Sequence, residues 1–277
     1  MIDFHVHPWT KDFMLKNEPI MQATKFFGVD SFPGSIKDLI RDMDEAGVEK
    51  SVILGQDTSH TKSPFFKNYT IKNEQLKKLS DSYPDRFVPF AGVDPNEGAG
   101  ALVKLRAAIE DMGFKGLKLH PSANSVYIND ERVYMLCEYC QDKGIPVLFH
   151  TGTTGLGNCE IKYSKPELVD ELAIQFPELK IIMAHFGWPW HEVAMAVALR
   201  HKNVYLDISG WKPKYIPDSV IRYMNGPLAD KFLFGTDYPM IRQKEWKMDF
   251  EKSLKLKLKD EVIEKLLDSN ARRVLGI

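Results

Sequence analysis

Hydrophobic positions along the chain follow two alternating rhythms. Short runs that are continuously apolar, or apolar at every second residue, occur at 2–5, 51–54, 87–93, 116–120, 147–150, 180–185, 204–209 and 231–236, and they predict eight strands. Between the runs, apolar residues recur three and four apart, the spacing of amphipathic helices. Some of these segments carry start and stop signals. Ser35 precedes Ile36, Leu39, Ile40 and Met43, with Gly47 as a stop. Ser164 and Glu167, with Pro166 between them, match a capping box ahead of Leu168, Val169 and Leu172. Leu102, Leu105, Ile109 and Met112 share one face of 98–112, and segments 260–267 and 270–275 follow the last strand to close the series.

A strand followed by a helix, repeated eight times, implies parallel strands, because parallel neighbours need crossovers that helices supply. The economical architecture is an α/β fold of the TIM-like (β/α)8 barrel type, occupying 1–277 as one domain. An open doubly wound sheet is the alternative, but no GxGxxG follows the first strand. Segment 8–34 is long for a strand–helix connection and rich in aromatic residues. It reads as a loop covering the active-site mouth, with a plug packed on the barrel rim as the other reading.

Composition changes the picture mainly by exclusion. The 277 residues, 44% of them hydrophobic, suffice for one large core. A formal net charge of −1 gives no electrostatic case for nucleic acid or an anionic membrane surface. The lysines of 72–78 and 252–259 lie in mixed segments that read as solvated faces. There is no long apolar run and no basic-then-apolar leader, so a cytoplasmic protein is expected. Three cysteines, Cys137, Cys140 and Cys159, do not make a disulfide scaffold. Cys137 and Cys140 form a CxxC, but Val133, Leu136, Cys137 and Cys140 recur at helical spacing, which favours core packing over redox or zinc chemistry.

Five of the eight histidines, His5, His7, His120, His150 and His185, fall at the ends of predicted strands, and Asp237 follows the last strand. In a barrel the carboxyl ends of the strands meet at one mouth, where residues distant in sequence become neighbours. His5 and His7 are two apart, so both imidazoles face the same side of a strand. With His150 and Asp237 they make three nitrogens and a carboxylate, a set suited to one divalent metal ion. Zn2+ is the first candidate, and Mn2+ or another transition metal fits the same donors. The alternative is that these histidines serve as hydrogen-bonding groups in the barrel mouth.

The motifs Asp3-Phe4-His5-Val6-His7, Gly116-Leu117-Lys118-Leu119-His120-Pro121, His150-Thr151-Gly152, Ala184-His185-Phe186-Gly187 and Gly235-Thr236-Asp237-Tyr238-Pro239 resemble the amidohydrolase superfamily. The resemblance is to its amidohydrolase-related (amidohydrolase 2) branch, which includes aminocarboxymuconate-semialdehyde decarboxylase, resorcylate decarboxylase and pyrone-dicarboxylate lactonase. It implies metal ligation by His5, His7 and His150. It also implies that Asp237 ligates metal or handles a proton, and that His185 stabilises or protonates the reacting group. Lys118 occupies the strand on which binuclear relatives carry a carboxylated lysine, but Lys-x-His-Pro is also usual in the mononuclear branch, so one metal is expected. His120 is then a pocket residue or a packing residue.

Such a constellation serves hydrolysis of a small cyclic or carboxylated compound through metal-activated water. The same parts serve nonoxidative decarboxylation, and a noncatalytic metal- or small-molecule-binding barrel is a third reading. Trp9 directly follows His7-Pro8, and Phe13, Phe26, Phe27 and Phe32 populate the first long segment, where they either wall a pocket for a planar compound or pack the rim. Trp188 and His191 follow the sixth strand. Arg242, in the last strand–helix connection, is the better placed cation for a carboxylate, ahead of Arg41 and level with Lys212. The expected partner is a small-molecule substrate, with a homodimer as a family-based expectation.

Overall fold

The computed structural model describes residues 1–277 except 27, 30–33, 64, 67 and 68. Its strands are β1 (Ile2–Val6), β2 (Lys50–Leu54), β3 (Phe87–Gly92), β4 (Gly116–Leu119), β5 (Val147–Phe149), β6 (Ile181–Met183), β7 (Val204–Asp207) and β8 (Phe232–Leu233). They form one sheet in sequence order, every neighbouring pair parallel. Backbone bonds then join the last strand to the first: Phe4 N donates to Phe234 O at 2.8 Å, Asp237 N to His5 O at 2.9 Å, and His7 N to Tyr238 O at 2.8 Å. The architecture is the predicted (β/α)8 barrel.

The first half contributes helices α1 (Lys11–Leu15), α2 (Glu18–Phe26), α3 (Ile36–Ala46), α4 (Asn73–Ser82), α5 (Ala99–Arg106), α6 (Pro121–Asn124) and α7 (Glu131–Asp142). The second half contributes α8 (Leu168–Gln175), α9 (His191–Arg200), α10 (Asp218–Met224), α11 (Gln243–Lys252), α12 (Asp260–Glu264) and α13 (Asn270–Leu275). Helix α3 has the predicted ends: the Ser35 side chain caps Asp38 N, and Gly47 closes it at φ 74°, where a residue without Cβ is least strained. The Ser164 capping box does not form. Ser164 lies in a 3-10 turn with its hydroxyl 2.7 Å from that of Ser122, and α8 starts later, behind Glu167, without a side-chain cap. A bond across 42 residues has taken the oxygen that local reading assigned to the helix. Segment 8–34, read as a loop, carries α1 and α2.

Strand side chains separate into two buried clusters. Ile2, Phe4, Val52, Leu54, Phe90, Leu148, Ile182 and Leu233 fill the barrel interior, joined by Ala271 and Val274 of α13 at the end where the strands begin. Val6, Ile53, Leu117, Phe149, Met183 and Leu206 belong to the other cluster, between sheet and helices. The CxxC cysteines are fully buried in this outer layer, and burial pushes both thiols up, away from the reactive thiolate. Among the described residues no helix is long and apolar enough to cross a membrane.

Candidate metal centre and active-site cavity

The apolar interior gives way to polar side chains where the strands end. Phe4 belongs to the inner cluster and Val6 to the outer one, and the pairing of β1 with β2 shifts register between Asp3 and Val6. That irregularity lets Phe4 and His5 both face inward, which strict alternation forbids. Elsewhere parity holds: Lys118 is in register with Leu148, Leu148 with Ile182, and Asp207 with Leu233, partners that all belong to the inner cluster. Lys118 and Asp207 therefore point inward as well.

Among the described residues, two groups of three have potential ligand atoms all within 4.8 Å: His5, His7 and Asp237, and His5, His185 and Asp207. In the first, Asp237 Oδ1 lies 3.5 Å from His5 Nε2 and 3.3 Å from His7 Nε2. His5 Nε2 is buried with no hydrogen-bond partner, while Nδ1 lies 2.9 Å from Asp207 Oδ2. With Nδ1–H donating to that carboxylate, the Nε2 lone pair is left free, as metal ligation requires. Burial drives the His5 pKa down to about 3 and lowers that of His7 also, so both rings are neutral near pH 7. Asp237 is well below the usual carboxylate range: burial alone would raise it, but the contact with His7 and the influence of His5 and His185 prevail. Neutral imidazoles, an anionic oxygen and an orphaned nitrogen fit a divalent cation.

The second group is a scaffold by comparison. Asp207 Oδ1 accepts from His185 N at 3.0 Å, from Ser209 N at 2.9 Å and from the Ser209 hydroxyl, while Oδ2 faces His5. Its acceptor capacity is already used, and it does not line the cavity, whereas Asp237 does. Asp207 escaped the sequence reading. Its only signal was an inward position on a predicted strand, three residues before Gly210.

His150 belongs to neither group. Its Nδ1 lies 3.1 Å from His185 Nε2, its Nε2 faces Thr153 O at 3.2 Å, and its ring stacks on His120 with centroids 3.9 Å apart and planes 7° from parallel. His185 Nδ1 lies 3.0 Å from Ser209 O and therefore acts as donor there. His185, at φ 58°, and Asp237, at φ 64°, both occupy left-handed backbone, a conformation that costs a non-glycine residue about 1–2 kcal/mol. Strain held at two adjoining polar residues is a functional signature that sequence alone does not display.

Above the group opens a cavity of about 640 Å3. Of the sequence-predicted residues, His7, Trp9, His120, His150, His185 and Trp188 line it, as do Asp237, Lys212 and Arg242. Trp9 stacks on His7 with centroids 4.5 Å apart, and Trp188 leans on Trp211 at 4.8 Å. Arg242 is tied to the buried Asp42, Nη2 donating to Oδ1 at 3.1 Å. His191 packs edge-on against Phe186 and Arg41 pairs with Asp38, and neither lines the cavity. Phe13 packs toward Trp9 at 6.3 Å rather than on the cavity. Phe27 and Phe32 lie outside the described residues, as does the Phe26 side chain. Lys118, a residue singled out only for its strand, sits on the cavity wall with its pKa brought down by burial to about 8.

Gly210 fixes how tightly the rings can close. It has φ 73°, and a Cβ there would stand 2.9 Å from His185 Nδ1 and 3.4 Å from Asp237 Oδ2. The Gly210→Ala variant is expected to lose about 10²-fold in kcat, since displacement of an aligned group by about 1 Å costs that much. Steady-state kinetics beside a denaturation curve check this: unchanged turnover would mean the rings tolerate displacement.

Donor nitrogens and a carboxylate gathered at the strand ends of a (β/α)8 barrel define an enzyme of the barrel-mouth class. The family description Amidohydrolase matches residues 2–277, and the chain belongs to the amidohydrolase family. The solved structure of an uncharacterized TIM-barrel protein, Bb4693 from Bordetella bronchiseptica, is similar at TM-score 0.85 and 29% identity, over 100% of this chain and 98% of that one. A dihydroxybenzoic acid decarboxylase from Polaromonas sp. JS666, with bound manganese and the inhibitor 2-nitroresorcinol, has TM-score 0.70 and 18% identity over 99% of this chain and 96% of that one. A 5-carboxyvanillate decarboxylase from Sphingomonas paucimobilis has TM-score 0.69 and 16% identity, covering 100% and 99% of the two chains. At these identities the likeness to the two decarboxylases is one of fold. No curated protein matches the chain.

Proposed function

We propose that the protein is a metal-dependent hydrolase of a small cyclic or carboxylated compound, with one divalent ion held by His5, His7 and Asp237 and with His150 as a fourth ligand. The observation that carries this reading is the orphaned His5 Nε2, buried opposite Asp237 Oδ1 and His7 Nε2 beneath an aromatic-walled cavity. Zn2+ and Mn2+ both suit two or three imidazoles and a carboxylate. A bound ion supplies a Lewis acid that polarises a substrate oxygen and makes a water more acidic.

The chain's own groups do the rest. Asp237, ionised and facing the cavity, takes the proton of the attacking water at a carboxylate oxygen. His185 has its Nδ1–H committed to Ser209 O, which orients the ring with Nε2 toward His150; only as the imidazolium, with a proton on Nε2 also, does it become a donor to an oxygen gaining negative charge. Trp9 and Trp188 exclude water and orient a flat ring. The segment bearing α1 and α2 covers one side of the mouth, a reading supported by Trp9, Ala23, Gly28 and Val29 in the cavity wall.

A second reading, nonoxidative decarboxylation, is favoured by the basic side chains of the wall: Lys118, Lys212, Lys214 and Arg242 stand against Asp237 and Glu245. Protein loaded with Zn2+ or Mn2+ and offered lactones, esters, amides and aromatic carboxylic acids separates the two. Hydrolysed product without carbon dioxide is the expected result, abolished by a chelator and restored by the metal. Carbon dioxide released from an acid whose ring stays intact would replace hydrolysis by the second reading. No turnover with either metal would reject both.

A further inference from the structure

Lys118 is explained neither by the ligand set nor by packing. Its side chain is 2% exposed, it points into the barrel, and it lines the cavity. Its Nζ has no hydrogen-bond partner among the described residues. An ammonium carries three donors, and burying it without an acceptor is destabilising unless something anionic arrives to meet it. The two carboxylates nearest in influence, Asp207 and Asp237, are otherwise engaged: the first accepts from His5, His185 and Ser209, and the second faces His5 and His7. Other cations of the wall differ in kind. Lys212 and Lys214 are exposed, and Arg242 is bonded to Asp42. Among the described residues, Lys118 alone combines charge, burial and an unpartnered ammonium in the wall of the cavity.

We propose that Lys118 Nζ is the anchor for a carboxylate at the buried end of the substrate, which is therefore an anion with a flat body. Trp9, Tyr69, Trp188 and Trp211 supply the faces against which that body lies. A charge-assisted bond from a desolvated ammonium is strong and short-ranged, so it sets the depth and orientation of the substrate relative to Asp237 and His185. The rim lysines, being solvated, attract anions without positioning them. The assignment rests on this cavity being the substrate site.

The competing explanation is structural, with Lys118 as a counter-ion that keeps Asp207 and Asp237 ionised. The two differ in sign. A buried cation waiting for a ligand is a cost in the free protein, so Lys118→Met, which keeps length and removes charge, is expected to melt at the same or a higher temperature. A counter-ion role predicts a lower one. The binding probe is benzoate against its neutral isostere benzamide, titrated calorimetrically into Mn2+-loaded protein. The native chain is expected to prefer benzoate by about tenfold or more. In Lys118→Met that preference is expected to vanish while benzamide binding is retained, and Lys118→Arg should recover part of it. Absence of the preference in the native chain, its survival in Lys118→Met, or a lowered melting temperature would overturn the proposal. Because the readout is equilibrium binding, the outcome stands whether or not hydrolysis or decarboxylation is ever detected.

Discussion

The Asp237→Asn variant is expected to lose about 10³-fold or more in kcat, a loss that excess Zn2+ or Mn2+ does not repair. Asp237 is asked to do two things with one carboxylate. It lies 3.3–3.5 Å from the Nε2 atoms of His5 and His7, within reach of any cation those rings bind. It also lines the cavity and is held ionised against its burial, ready to accept a proton. An amide keeps the shape but surrenders the charge and most of the basicity. Left-handed backbone at φ 64° is tolerated by asparagine at least as well as by aspartate, so the fold should survive the change. Kinetics at several metal concentrations, beside a melting curve, make the check. Near-native turnover would remove Asp237 from the chemistry and leave it a hydrogen-bonding residue of the mouth.

Asp207→Asn is expected to act differently: metal affinity falls about 10–100-fold, and saturating metal recovers much of the activity. Asp207 would act on a bound cation through His5. Its Oδ2 takes the Nδ1 proton of that ring, which leaves Nε2 with the lone pair. An amide nitrogen in the same place donates instead, and the ring must answer by moving its proton to Nε2, the wrong nitrogen for ligation. The Oδ1 side accepts from His185 N and Ser209 N, bonds that an asparagine oxygen can keep, so the strand end is expected to hold. Metal titration followed by calorimetry gives the readout. A variant with native metal affinity would show that the tautomer is set by Ser209, whose hydroxyl lies 3.0 Å from the same Nδ1. Loss that no amount of metal repairs would make Asp207 a structural residue only.

Much of the barrel was legible because its signals are local. Period-two runs ended within a few residues of β1–β7, and Ser35 and Gly47 bounded α3 as read. The last strand is the exception: expected at 231–236, it runs only over Phe232–Leu233. Beyond it, Thr236 turns to Asp3, with N to Oδ1 at 3.0 Å and the hydroxyl to Oδ2 at 2.6 Å, and these bonds leave the ladder to close the barrel. The Ser164 cap failed for a like reason, since its hydroxyl met Ser122.

By itself the sequence determined the eightfold alternation, the His5–His7 pair and the presence of His120, His150, His185 and Asp237 at strand ends, because residue type and spacing along one strand need no knowledge of the rest of the chain. Only the tertiary structure decided which of them meet. The shift in β1 that turns Phe4 and His5 to the same side, the carboxylate of Asp207 arriving from 202 residues away, and the stacking of His150 on His120 all follow from ring closure. The same holds for Lys118: a lysine on a short strand is unremarkable until the barrel closes round it and leaves its Nζ without an acceptor among the described residues. Spacing within a strand is a covalent property, whereas proximity across a barrel is fixed by packing, which no single segment carries.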